Sequence, residues 1–138
     1  KSCEAFKLDV VDKLPVKKKK IIISQRFFNY FVVIDKSSKV KIHKRKEKDI
    51  WNNLYEFELL ETNNKISVKE AESCLKEKYQ RLIFQKKYQV FHKLTHQFLS
   101  IDFWIFEVDE VFKFGLDIPS LNNYPFPKPI FSIISKIQ

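Results

Sequence analysis

The chain has 138 residues, 44% of them apolar and including 14 Phe, 5 Tyr and 2 Trp; that is material for one core, and it excludes intrinsic disorder. Its single glycine, Gly115, excludes the glycine-rich cradles of dinucleotide and P-loop sites, where several glycines let the backbone approach a phosphate. Lys and Arg outnumber Asp and Glu by 26 to 17, a formal charge of +9 that points to a polyanionic partner such as nucleic acid.

No apolar run approaches the roughly 18 residues of a membrane span, and the opening "KSCEAFKLDVVDK" lacks the order of a secretory signal. The sequence therefore reads as cytoplasmic, with no membrane partner. Cys3 and Cys74 are too few and too far apart for a disulfide framework or a zinc site, and both are expected to be reduced.

Residues 1–24 mix small apolar residues with "LPVKKKK" and read as a connector, with residues 25–138 forming the domain. "SQRFFNYFVVID" is β-branched and aromatic on both faces, which suits a central strand. A turn at "DKSSK" follows, and "KVKIHKR" alternates as a strand with one wet face, so the two segments are expected to pair as a hairpin. "IWNNLYEFELLET" gives an aromatic cluster and a short strand ending in the polar loop "TNNK".

Ser67 with Glu70 forms a capping box, and Val68, Ala71, Leu75 and Tyr79 share one face of the helix it opens. Cys74, on the apolar side, is expected to be a small core residue. A long hairpin follows: Val90–Leu94 and Phe98–Val108 are strands joined by Thr95, His96 and Gln97, with none of the Gly, Asn or Asp that tight turns favour. The chain closes on a helix with Pro129 near its start and a stripe of Ile130, Ile133, Ile134 and Ile137. Trp51, Tyr55, Phe57 and Trp104 are assigned to packing. This order of elements is α+β, a mixed or antiparallel sheet packed with helices.

"KRKEKDIWNNLYEFELLET" at residues 44–62, "KLTHQ" at 93–97 and "YPFPKPI" at 124–130 resemble, in the same order, the C-terminal domain of the MutY family of A/G-specific adenine DNA glycosylases. "CEAFK" with "LPVKKKK" resembles the end of that family's catalytic domain and its connector. Asp49 and Asn53 stand where many members have glycine, and Glu58 where proline is common. The resemblance implies a Nudix-like fold and a fragment whose catalytic domain is missing, so the fragment itself is expected to have no glycosylase activity. In the full-length protein Cys3 would be the fourth ligand of an iron–sulfur cluster, while this fragment would hold no metal or cofactor. It also implies a bacterial, nucleoid-associated repair protein, monomeric, whose partners are its own catalytic domain and duplex DNA containing 8-oxoguanine opposite adenine.

In that family the loop matching Leu94, Thr95, His96 and Gln97 lies beside 8-oxoguanine. Guanine presents a bare N7 acceptor in the major groove, whereas its oxidised form carries N7–H, a donor, so a reader must present an acceptor. The resemblance assigns that role to the Thr95 hydroxyl, with His96 on a phosphate or the base edge and Leu94 or Gln97 filling space. A hydroxyl also donates to the N7 of ordinary guanine, which limits its selectivity. Taken alone, Thr95, His96 and Gln97 read as a solvated hairpin tip. Lys17, Lys18, Lys19, Lys20, Arg26, Lys44, Arg45, Lys46 and Lys48 are the candidates for the DNA backbone.

Two rival functions follow. A Nudix diphosphohydrolase gathers glutamates on one helix to hold Mg²⁺. Laid on this helix, its Arg-Glu pair falls on Ser73 and Cys74 and its Glu-Glu pair on Glu77 and Lys78, leaving one carboxylate of three. Hydrolysis is not expected. The other rival is a protein-interaction domain that docks repair partners.

Overall fold

The computed structural model describes residues 23–137. Its main sheet has four strands in the order β5-β1-β7-β6, formed by β1 (Ser24–Ile34), β5 (Glu58–Thr62), β6 (Ile83–Lys93) and β7 (Gln97–Glu107). β1 runs parallel to β7 over eleven pairs, from Ser24 opposite Gln97 to Ile34 opposite Glu107, while β5 and β6 are antiparallel to their neighbours. The sheet is therefore mixed, and its two inner strands are the two most apolar segments, because only they are covered on both faces.

One face carries Phe28, Tyr30, Leu99, Ile101 and Phe103 against α2 (Lys128–Ile137), whose Ile130, Ile133 and Ile134 are buried. The other carries Phe31, Val33, Trp104 and Phe106 against α1 (Val68–Leu75). Both arms of the Ser67–Glu70 capping box are present, and α1 buries Ala71 and Leu75. Tyr79 is buried beyond the end of the helix. Tyr55 and Phe57 lock onto the segment before α2: the Tyr55 N–H donates to the Pro125 carbonyl at 2.8 Å, and Phe57 stacks on Phe126. Trp104 and Phe57 are fully buried and Trp51 and Tyr55 partly so, in agreement with their assignment to packing.

Two expectations are corrected. The segment after the Asp35–Ser38 turn does not pair with β1. It divides into β2 (Lys39–Val40), which pairs with β8 (Leu116–Asp117), and β3 (His43–Lys44), which pairs with β4 (Tyr55–Glu56). The edges of β1 are already taken by β5 and β7, and alternation fixes which face of a strand is wet without choosing its partner. Cys74 is exposed, because α1 is short and turns its buried side at Ala71 and Leu75.

A candidate nucleic-acid interface at one end of the sheet

The finger between β6 and β7 is closed by a bond from the Leu94 N–H to the Gln97 carbonyl at 2.7 Å. Positive φ occurs, among the described residues, at Ser38, Trp51, Asn53 and Arg81 only. The finger therefore turns without left-handed backbone, which removes the need for a glycine or asparagine there. Thr95 and His96 are exposed, whereas Leu94 is half-buried and packs on the core. The Ser24 N–H donates to the His96 carbonyl at 3.0 Å, fixing the finger to the start of β1.

The loop joining β3 to β4 stands at the same end. Lys44 at the end of β3 and Lys46 and Lys48 on the loop are exposed. Its path turns through left-handed backbone at Trp51 (φ 61°) and Asn53 (φ 71°), and asparagine tolerates that region nearly as glycine does. Asn53 is thus accommodated by this backbone. Trp51 packs edge-on to Phe28 at 5.9 Å between ring centroids and lies 6.0 Å from the His92 ring, so the loop rests against the base of the finger.

Of the basic candidates, the two arginines are committed internally. The Arg45 side chain is 3% exposed and pairs with Glu56, 4% exposed, at 2.8 Å. Its Nη2 donates to Asp49 and its Nε to the Ile50 carbonyl. Arg26 donates to Asp49, Glu61 and Gln97 at 2.8 to 3.0 Å. Both guanidinium groups lie over the Phe28 ring, at 4.9 and 6.0 Å. Arg26 has all five donors engaged, and Arg45, with three engaged, is buried. Gln97 is likewise a partner of Arg26. Lys17, Lys18, Lys19, Lys20 and Cys3 lie outside the described residues.

Glu56 is the hub beneath the loop. It accepts from the Tyr30 hydroxyl at 2.9 Å, from Arg45, and from His43 Nε2 at 2.8 Å. Burial first, then the Glu56 charge and hydrogen bond, push the Tyr30 hydroxyl far above the usual phenol range. The Arg26 hydrogen bond, opposed by burial and helped by the Ile50 N–H, pulls the Asp49 carboxyl down to about 2. These acidic partners were missed in the sequence; the one legible signal was the glycine-to-Asp49 departure, a charged residue where a turn needs none.

At the opposite end of the sheet, a cleft of about 570 Å³ opens between the end of α1 and β3, lined by Lys41, His43, Glu58, Lys78, Tyr79 and Phe112 among others. Lys78 is ion-paired with Glu58, and the Lys41 ammonium lies 4.4 Å from the Phe112 ring centroid. Among the described residues, no three His, Cys, Asp or Glu side chains are grouped to hold a metal ion. No described helix is long and apolar enough to cross a membrane.

Comparison with known proteins places this geometry. Residues 29–136 match the NUDIX domain family. The chain is 32% identical over 141 residues to the adenine DNA glycosylase of Buchnera aphidicola subsp. Schizaphis graminum, covering 96% of this chain and 39% of that protein. Among solved structures, the C-terminal domain of mouse MUTYH in its complex with human PCNA matches with a TM-score of 0.61 at 13% identity, covering 81% of this chain and 86% of that one. The MutT protein of Methanosarcina mazei Go1 matches with a TM-score of 0.58 at 12% identity, covering 86% and 96%. At those identities the structural likenesses speak to the fold, and they agree with the α+β architecture expected from the sequence. With a mixed sheet between helices and a family match over most of its length, the chain belongs to the NUDIX domain family.

Proposed function

We propose that this chain is the lesion-recognition part of an adenine DNA glycosylase, reading 8-oxoguanine opposite the adenine that the rest of the enzyme removes in base excision repair. The observation that carries the proposal is the finger: Thr95 and His96 stand exposed at the tip of an anchored hairpin, at the same end as exposed Lys44, Lys46 and Lys48. The kinship in sequence to an adenine DNA glycosylase supports it.

The Thr95 hydroxyl accepts from the N7–H that oxidation creates, and His96 bonds a neighbouring phosphate or the base edge. A good bidentate base contact discriminates by about 1–3 kcal/mol. Leu94 anchors the tip in the core, and the three lysines neutralise phosphates, which makes binding sensitive to salt. Removal of adenine, which needs a flipped base and a general acid, belongs to the part of the enzyme beyond this chain, and the domain acts beside it as a monomer. An iron–sulfur cluster takes four thiolates, and this chain has two cysteines, of which Cys74 is exposed on α1. These residues do not fit a cluster by themselves; Cys3 would contribute one ligand in a longer protein.

The test is an NMR titration of the ¹⁵N-labelled chain with two duplexes that differ only in guanine or 8-oxoguanine opposite adenine. Shifts centred on Thr95 and His96, larger for the oxidised duplex and lost in Thr95→Ala, are expected. Equal shifts for both duplexes would overturn lesion reading. A protein-docking role is favoured by one observation, Val111 and Phe114, which are 63% and 87% exposed after β7. Finger amides indifferent to either duplex would turn attention there.

A further inference from the structure

We infer that Arg26 is a positioning residue for the finger, holding it in register with the lysine-bearing loop, and is not one of the groups that grips DNA. The inference rests on the lesion-reading role proposed above. A guanidinium has five N–H donors, and all five are used. Nε donates to Glu61 at 2.8 Å; Nη1 donates to Asp49 and to Gln97, each at 3.0 Å; Nη2 donates to Asp49 at 2.9 Å and to Glu61 at 2.8 Å.

Those partners lie on three separate segments: Asp49 on the loop between β3 and β4, Glu61 near the end of β5, and Gln97 at the root of the finger. Asp49 Oδ2 also accepts from Arg45 Nη2 on the same loop at 3.0 Å, and Arg45 is paired in turn with buried Glu56, so the loop does not simply follow Arg26 if Arg26 moves. Two residues upstream on the same strand, the Ser24 N–H holds the His96 carbonyl at 3.0 Å. The start of β1 thus grips the finger at two successive points, one through backbone and one through the Arg26 side chain. A hydroxyl that must meet a single N–H on a base has a tolerance of about 0.5 Å. Beside the Trp51–His92 ring contact, the Arg26 joint is the described hydrogen-bonded tie between the tip and the lysine loop.

Charge gives the test its sign. Removing an acidic side chain near DNA strengthens binding if only long-range attraction matters. If Glu61 instead holds Arg26 in place, Glu61→Gln loosens the finger and weakens selectivity. The experiment compares the ¹⁵N-labelled 138-residue chain with Arg26→Ala, Arg26→Lys and Glu61→Gln. Two quantities are read: amide hydrogen exchange and ¹⁵N relaxation at Thr95, His96 and Gln97 without DNA, and affinity for oxidised and unoxidised duplexes across a salt series.

All three variants are expected to mobilise the finger and to reduce the preference for 8-oxoguanine about fivefold or more. Arg26→Lys should fare no better than Arg26→Ala, because an ammonium lacks the planar fork that spans two carboxylates. The salt slope of Arg26→Ala should match that of the parent. A slope shallower by about one phosphate with selectivity intact would make Arg26 a DNA contact and overturn the inference. Unchanged finger amides in Glu61→Gln and Arg26→Ala would overturn it as well. Should the parent chain show no preference between duplexes, the lesion-reading role fails, while the amide measurement on the free chain still decides what Arg26 holds. Glu61→Gln, an isosteric change at an exposed carboxylate, serves if Arg26→Ala does not fold.

Discussion

Replacing Arg45 by methionine keeps roughly the volume of the side chain and removes the charge. In the structure this leaves Glu56, 4% exposed, with the Tyr30 hydroxyl and His43 but without its ion-pair partner at 2.8 Å. Breaking a buried pair on one side costs about 3–5 kcal/mol, against a total stability of about 5–15 kcal/mol for a domain. With a urea dependence near 2 kcal/mol per molar, the unfolding midpoint should fall by about 2 M. Replacing both partners, Arg45→Met with Glu56→Leu, removes the stranded carboxylate and should recover part of that loss. Recovery stays incomplete because the buried Tyr30 hydroxyl then loses its acceptor, at about 1–3 kcal/mol. Urea unfolding of the single and double variants measures both numbers and their coupling. A loss below 1 kcal/mol for Arg45→Met alone would show that Glu56 does not depend on the guanidinium, and the hub as described would be wrong.

Ser67→Ala removes the side-chain acceptor for the Glu70 N–H at the start of α1 and should cost about 1 kcal/mol in thermal or urea unfolding. Acid should destabilise the fold in a definite window. Asp49, held at about 2 against an ordinary 3.8, contributes stability that is present above about pH 4 and lost as pH falls toward 2. After allowance for solvent screening this is about 1 kcal/mol, and Asp49→Asn should flatten that part of the pH–stability curve. Asp35 acts in the same direction, because the N–H groups of Phe112, Lys39 and Ser37 outweigh the burial that opposes them. At high pH, burial, with Glu58 and Glu110 near it, pushes Tyr79 up to about 12; its contribution is complete below pH 10 and lost above, and Tyr79→Phe should delete an ultraviolet titration step near pH 12. Gly115→Ala would bring a Cβ to 2.8 Å from the Lys39 Cβ and 3.2 Å from the Phe112 Cβ, so β2 and β8 must separate and unfolding should come at a lower temperature.

The sequence by itself determined β1, both helices, the finger and the α+β class, since each is written in local terms. β1 is apolar on both faces, α1 opens on a capping box, α2 carries an isoleucine stripe, and the finger lies between two runs of strand formers. Only the tertiary structure decided the partners. Nothing local says that β1 lies parallel to β7, that Lys39–Val40 pairs with Leu116–Asp117, or that the loop aspartate Asp49 reaches Arg26 on β1. Arg26 and Arg45 show the consequence: a positive charge in a basic stretch looks available to phosphate until folding brings carboxylates within 3 Å of it. Alternation and capping are properties of neighbouring residues. Strand pairing and ion pairing are set by which distant segments the core brings into contact, and only burial of the whole chain fixes that choice.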